Sequence, residues 1–254
     1  MRVLALVKRV PATGGRINLA ADGRSIDTAY LGFVVSPHEE CAVEEAVRIV
    51  EAHGGEAVVM TLGPAESADQ LRDALAIGVE RAVHLETDGA DWDPVATAAA
   101  LVDAIRSLEA DGGPFDLILV GNESADSGGF QVGIRVAVAL GRPIVNGAKA
   151  LQVTGDTATV RRQAPGGWEV YEVPLPAVVG VREGINLPRY PSVPGRLRAK
   201  KKEIERIVPE RSAGGPTLDR LVLPVEQEQD VEILGNGPEA APRVVEVMRE
   251  IGVL

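Results

Sequence analysis

The sequence predicts an α/β fold built around a doubly wound, mostly parallel β-sheet, and three observations support this. Short apolar runs alternate with segments of helical periodicity through residues 1–145, a pattern typical of βαβ units. Hydrophobic residues make up 45% of the chain and aromatic residues only 3%, which suits aliphatic strands buried on both faces. From residue 149 onward, apolar and polar residues alternate and turn signals recur, which predicts an added antiparallel meander.

The best-marked helix is predicted to begin at Ser36-Pro-His-Glu39. Ser36 can cap the helix, Pro37 suits its first position, and Glu39 completes a capping box. An apolar stripe follows, and a glycine pair at Gly54 ends the helix.

The other elements follow from the same signals, with a hairpin-like excursion predicted around Thr13-Gly-Gly and Asp22-Gly-Arg. Strands of the parallel part are predicted at residues 2–7, 57–62, 82–85, 115–120, 143–145 and 175–181. Helices are predicted after Gly63-Pro64, after Asp93-Pro94 and over residues 128–140. Meander strands are predicted at residues 149–154, 157–163 and 168–173.

The C-terminal part is predicted to be an arm. Residues 208–217 are rich in Pro, Gly and Ser and read as a linker, followed by a strand-like piece at 221–223 and a helix at 238–251. The arm is too small to fold alone. We therefore predict a domain at residues 1–207 and an arm at residues 208–254.

A proline-rich segment stands out at residues 186–195, where three prolines and a glycine occur in ten residues. Prolines exclude a long helix and favour a stiff, exposed loop. From Arg182 to Arg206 there are eight basic and three acidic residues in a chain of net charge −11. The segment is either a solvated loop that ends in a basic helical turn or a docking loop for an acidic partner, with an apolar tip at Val193.

A second segment of interest runs from Gly121 to Gly133, between a predicted strand and a predicted helix. Glycines allow close approach to a phosphate, and a helix N-terminus offers free N–H groups. The segment matches neither the Rossmann fingerprint nor the P-loop. A tight loop without a ligand would have the same pattern, so both interpretations stay open at this point.

Composition excludes several classes of protein. One cysteine excludes an intrachain disulfide, and three scattered histidines with no cysteine cluster predict no metal site. The acidic balance argues against nucleic acid as a partner. The apolar runs are too short for a signal peptide or a membrane span, which predicts a cytoplasmic protein. No nucleophile–base pair or carboxylate dyad stands out, so no catalytic residues are predicted.

The segment from Leu175 to Lys202 resembles the signature region of electron-transfer flavoprotein β subunits. The resemblance rests on Leu-Pro-Ala-Val-Val, then Asn186-x-Pro-Arg-Tyr-Pro-Ser, then Pro194-Gly, then Ala199-Lys-Lys-Lys. It extends over nearly the whole chain. It implies an adenine-nucleotide α-hydrolase-like fold and a heterodimer with an α subunit, on whose flavin domain the arm at residues 208–254 packs.

The resemblance also implies which residues bind ligands. The family's Gly-x-x-x-x-Asp…Gln-x-Gly pattern, which typically accompanies a buried AMP, matches Gly121, Asp126, Gln131 and Gly133. Carried over by position, the cofactor-binding residues are Leu6, Lys8, Arg9, Ser36, Pro37, His38, Glu39, Leu62, Gly121, Ser124, Asp126, Ser127, Gly128, Gly129, Phe130, Gln131 and Val132. The implied partner-docking loop spans residues 181–203, with Tyr190, Val193, Pro194, Gly195, Leu197 and Lys200 as its contact residues.

The implied function is that of an electron carrier, not an enzyme. FAD, held mainly by the α subunit, would take single electrons from acyl-CoA or related dehydrogenases, as in fatty acid β-oxidation, and pass them to a quinone reductase. Two alternatives stay open. An electron-bifurcating β subunit, to which Gln131-Val132-Gly133 is closer, would hold a second FAD instead of AMP. A stand-alone adenine-nucleotide-binding protein of stress-protein type would have no use for the docking loop.

Overall fold

The computed structural model describes residues 1–12, 14, 17–224 and 231–254. Most of the predicted Thr13-Gly-Gly turn and residues 225–230 of the predicted arm lie outside the described residues. The strands are β1 (Arg2–Val7), β2 (Arg9–Pro11), β3 (Phe33–Val35), β4 (Glu56–Gly63), β5 (Arg81–Glu86), β6 (Leu117–Gly121), β7 (Ile144–Thr154), β8 (Thr157–Ala164), β9 (Gly167–Pro174), β10 (Ala177–Val181) and β11 (Ile204–Ile207). The helices are α1 (Pro37–His53), α2 (Ala68–Ile77), α3 (Pro94–Gly112), α4 (Val132–Leu140), α5 (Val193–Lys201) and α6 (Ala241–Glu250).

Nine strands form one sheet in the order β11-β5-β4-β1-β6-β10-β7-β8-β9. Pairing is parallel from β11 to β7 and antiparallel from β7 to β9. The predicted fold class, a doubly wound parallel sheet with a meander, is therefore confirmed. β1 lies at the point where the strand order reverses, because β4 pairs with one of its edges and β6 with the other.

Helices cover both faces of the sheet, and β1 shows how the sequence serves both. Val3, Ala5 and Val7 belong to the core under α1 and α2, whereas Leu4 and Leu6 belong to the core under α3 and α4. Side chains alternate across a strand, so a continuous apolar run supplies both cores. Helix α3 begins where it was predicted to begin, because the Asp93 side chain caps it by accepting the N–H groups of Val95 and Ala96.

The strands predicted separately at residues 143–145 and 149–154 are one strand, β7. Its register shifts near Gly147, whose φ of 77° lies in the left-handed region. The irregularity lets β7 pair in parallel with β10 at its start and antiparallel with β8 afterwards. The sequence marked both halves but not their continuity, because the bulge is a property of the pairing.

The helix predicted over residues 128–140 begins only at Val132. Gly128 and Phe130 both have a φ of 54°, which interrupts any helix before that residue. The predicted helix was therefore too long at its N-terminus, and residues 122–131 form a loop.

The predicted strand at residues 221–223 is absent, whereas β11 at Ile204–Ile207 was not predicted. Leu221 donates one backbone hydrogen bond to Gly23, and no ladder follows. β11 has only four residues, but its register against β5 on the edge of the sheet makes it a strand. The terminal helix is confirmed as α6, and none of its side chains is buried. The division at residue 208 stays a prediction.

Candidate functional site: a nucleotide cleft and a docking surface

The cleft forms at the carboxyl ends of β1 and β6, where the strand order reverses. Ligands of open α/β sheets bind at such switch points. The end of β6 lies so close to α1 that a Cβ on Gly121 would be 2.5 Å from Cγ of Glu39. Glycine is therefore required at Gly121 for α1 and the loop after β6 to form two walls of one cleft.

The cleft has a volume of about 360 Å³. Ser36, Pro37 and His38 form one wall, and the other consists of Glu123, Ser124, Ala125, Asp126, Ser127 and Gly128. Two stretches that lie more than eighty residues apart in the sequence are thus brought together, as predicted. Glu123 and Ala125 are not among the residues predicted individually, although they lie within the segment from Gly121 to Gly133.

Contacts between polar side chains hold the cleft together. Lys8 Nζ lies 2.5 Å from Oδ2 of Asp126, and His38 Nε2 lies 3.5 Å from Oε1 of Glu123. Burial raises the pKa of Asp126, but the Lys8 charge and hydrogen bonds from Lys8, Ser124 and Ser127 outweigh it, so the pKa of that carboxyl is lowered. Asp126 is therefore a stable anion that ties β1 to the loop.

Glu39 lies beneath the cleft and is almost fully buried. Its carboxylate accepts the backbone N–H and the hydroxyl of Ser36 at 3.3 and 3.0 Å. Burial raises the pKa of Glu39 to about 7, because hydrogen bonds from Lys8 and Ser36 and the Lys8 charge only partly offset the loss of solvent. The floor of the cleft therefore carries a carboxyl that titrates near neutral pH.

The remaining predicted cofactor residues lie around the cleft and do not line it. Leu6 is buried in the core, and Leu62 packs against that same core. The Arg9 guanidinium stacks on Phe33, 3.4 Å from the ring centroid. Four residues of the loop and the start of α4 lie beyond the lining residues: Gly129, Phe130, Gln131 and Val132.

The chemistry of the lining residues fits a nucleotide. The hydroxyls of Ser124 and Ser127 lie 2.9 Å apart and can donate to phosphate or ribose oxygens. The Glu123 and Asp126 carboxylates can accept from ribose hydroxyls or an adenine amine. Lys8 is not a lining residue, but it brings a positive charge to Asp126, and the volume falls in the lower part of the range for ligand sites.

A second candidate surface lies on the segment around α5. We define the docking surface as the exposed side chains of Tyr190, Val193, Pro194, Leu197 and Lys200. Tyr190 is 96% exposed and Val193 is 73% exposed. Gly195, predicted as a contact residue, is instead buried, and a Cβ there would collide with the carbonyl oxygen of Ala76 in α2. Gly195 thus fixes how closely α5 packs on α2.

Among the residues that the structure describes, no group of three or more His, Cys, Asp or Glu side chains could hold a metal ion. In the same part of the chain, every helix is too short or too polar to span a bilayer.

A doubly wound sheet with a polar cleft at its strand-order reversal has the arrangement in which open α/β sheets bind ligands. The electron transfer flavoprotein domain model matches residues 25–212. Electron transfer flavoprotein subunit beta of Syntrophomonas wolfei subsp. wolfei is 35% identical over 250 residues, 98% of this chain and 96% of the relative. The Bacillus subtilis subunit beta is 32% identical over 98% of each chain, and the mitochondrial one of Oryza sativa subsp. indica is 35% identical over 83% of each.

The chain therefore belongs to the electron transfer flavoprotein family, in which the relatives it matches over nearly its full length are named β subunits. Its class is that of an electron carrier, not an enzyme.

Glu39 makes the stability of the protein depend on pH. Because its pKa is raised on folding from 4.5 to about 7, the folded state binds the proton more tightly, and stability falls as pH rises through this window. The loss amounts to roughly 3 kcal/mol between pH 4.5 and pH 7. Urea unfolding across this range should show that the Glu39→Gln variant lacks this part of the pH dependence. Identical pH profiles for the two proteins would contradict the assignment.

Proposed function

We propose that this chain is the β subunit of a heterodimeric electron-transfer flavoprotein that carries single electrons from acyl-CoA or related dehydrogenases to a quinone reductase. The observation that carries the proposal is its similarity to named β subunits over 98% of its length. FAD, held mainly by the α subunit in a cleft facing this chain, supplies the redox chemistry when bound. This chain shapes the flavin cleft of the heterodimer, holds AMP in its own cleft and presents the docking surface. Cytoplasmic location stays a prediction.

AMP is the proposed occupant of the cleft between α1 and the loop after β6. The cleft offers serine hydroxyls, two carboxylates and a lysine around a volume of about 360 Å³. A cleft of this volume is within the size range of small-ligand sites. Lys8 and Arg9, at the end of β1, are proposed to face the phosphate or the flavin of the assembled protein.

The C-terminal arm, residues 208–254, is proposed to pack on the α subunit. Val244, Val245 and Ile251 are exposed on or next to α6, which buries none of its side chains. An amphipathic helix with an uncovered apolar stripe needs a surface to cover it. The α subunit is the partner that family membership implies.

The second candidate is an electron-bifurcating β subunit with FAD in place of AMP. Gln131-Val132-Gly133 favours it, whereas Gly121 and Asp126 match the pattern that accompanies AMP. A stand-alone stress-type nucleotide-binding protein is the less favoured alternative, because the similarity to β subunits extends over the full chain.

Assembly with the α subunit tests the proposed function. Purified alone, the chain should be colourless, and mixing it with the α subunit and FAD should give a yellow complex. Deletion of residues 218–254 should impair assembly, because it removes the apolar stripe of α6. Absorption spectroscopy and size-exclusion chromatography report both effects. A yellow, photoreducible chain purified without the α subunit would overturn this division of labour.

AMP should copurify with the heterodimer and raise its thermal stability, since a ligand of the folded state stabilises that state. Asp126→Ala should lower AMP affinity about tenfold, because Lys8 and the Ser127 N–H both lose their acceptor. Mass spectrometry of released nucleotides and calorimetric titration measure this. Asp156→Ala, in the turn between β7 and β8, is the control and should bind AMP normally. Release of two FAD per heterodimer would instead favour the bifurcating alternative.

Val193 is proposed as the apolar anchor of the docking surface. Truncating an anchor of this kind costs roughly 2 kcal/mol or more of binding free energy. Val193→Ala should therefore slow dehydrogenase-driven reduction of the heterodimer and leave the flavin spectrum unchanged. Val138→Ala on α4 is a matched control, because Val138 and Val193 are both 73% exposed. Stopped-flow kinetics that do not distinguish Val193→Ala from the wild type would remove this residue from the docking surface.

A further inference from the structure

We propose that Arg189 is a positioning residue that couples the nucleotide cleft to the docking surface through helix α1. AMP in the cleft then orders the loop that carries the start of the docking surface. The inference rests on the proposed nucleotide site, and it adds an energetic link between that site and partner docking.

The loop before α5 lies along α1 with a regular spacing of contacts. The backbone N–H of Glu183 donates to Nδ1 of His38 at 2.8 Å. Three residues later, the Asn186 side-chain amide donates to Oε2 of Glu45 at 2.8 Å and to the carbonyl of Cys41 at 3.0 Å. Three residues later again, Arg189 reaches the second half of α1.

Arg189 makes the densest set of these contacts. Its backbone N–H, Nε and Nη2 donate to Glu44 at 3.2, 2.9 and 3.1 Å, and its Nη1 and Nη2 donate to Glu51 at 2.6 and 2.9 Å. The Glu44 side chain is 1% exposed, so its charge depends on this guanidinium and on Arg48. Burial raises the pKa of Glu44, but hydrogen bonds from Arg189 and Arg48 outweigh it and lower the pKa. Tyr190, the first residue of the docking surface, follows Arg189 directly.

The N-terminal end of α1 forms one wall of the cleft. His38 lines that wall and also contacts the loop before α5. Its Nδ1 accepts from Glu183 in the loop, so its Nε2 carries the ring proton and points towards Glu123 in the cleft. A ligand that immobilises His38 and the first turn of α1 also reduces the freedom of the loop. Binding that restricts a shared element makes a second binding event on that element more favourable, and the coupling is reciprocal.

Helix α5 carries the rest of the docking surface and packs on α2 instead of α1. It therefore serves as an internal control for the coupling. Arg72 of α2 donates to the carbonyl of Ala199 at 2.6 Å, and Gly195 packs against Ala76. No hydrogen bond between the described residues of α5 and α1 was found. The coupling therefore predicts a response in residues 183–190 and none in residues 193–201.

Amide hydrogen exchange of the heterodimer, freed of nucleotide and then measured with and without AMP, tests the coupling. In the wild type, AMP should slow exchange at residues 36–39 and 123–128, and it should slow exchange at residues 183–190 about fivefold or more. Residues 193–201 should exchange at the same rate in both states.

Two variants separate coupling from folding. Arg189→Lys keeps the charge but cannot chelate two carboxylates, and Glu51→Gln weakens the clamp without touching buried Glu44. Both should keep AMP protection at residues 36–39 and lose most of it at residues 187–190, because the contacts of Glu183 and Asn186 with α1 stay in place. Arg81→Lys is the matched control, because Arg81 also bridges two glutamates, Glu56 and Glu205, but at the amino ends of β4, β5 and β11 and with no hydrogen bond or ion pair to the loop at residues 183–190, which the structure describes in full.

Each other outcome contradicts the coupling in a distinguishable way. Protection of the cleft residues with unchanged exchange at 183–190 would overturn the coupling and leave the nucleotide site intact. Full protection at residues 183–190 in both variants would show that Arg189 does not couple the cleft to the loop. Absence of AMP protection at residues 36–39 and 123–128 would overturn the nucleotide site and the coupling together.

Discussion

The packing of the first turn of α1 against the carboxyl ends of β1 and β6 is the constraint on which the rest of the structure depends. It requires a glycine at Gly121, because any side chain there would collide with Glu39. It also buries the Glu39 carboxyl, whose hydrogen bonds to Ser36 begin the helix. The same turn is a wall of the cleft. The helix start and one wall of the candidate site therefore depend on the same first turn of α1 and on its contact with β6.

The charges of the chain are divided between holding the fold and facing solvent. The chain is acidic overall, yet the segment from Arg182 to Arg206 is basic. Arg189 is used internally, where it satisfies the buried Glu44 and the neighbouring Glu51 on α1. Lys200 of the docking surface stays exposed, as do Arg196 and Arg198 beside it. Internal pairs hold Arg189 against α1, and the outward charge is the part of the segment that we propose steers an acidic partner.

Much of the candidate site could be predicted because its signals are local. A capping pattern marked Ser36 and Glu39, and a glycine-rich strand-to-helix junction marked Gly121 to Gly128. The elements that escaped prediction depend on pairing between distant segments. β7 continues through Gly147 because β10 and β8 lie on the same edge in succession. β11 forms because its backbone pairs with the edge of β5. Its own four residues show too weak a pattern to predict a strand.

The sequence by itself determined the fold class, most of the helices and strands and the two segments proposed to carry function, because hydrophobic period, caps and prolines act within a few residues. Only the tertiary structure decided which polar groups meet: Lys8 with Asp126, His38 with Glu183, and Arg189 with Glu44. It also buried Gly195 and left Val193 exposed, although the two are separated by one residue. Those outcomes depend on distances between segments far apart in the chain, which no local pattern encodes.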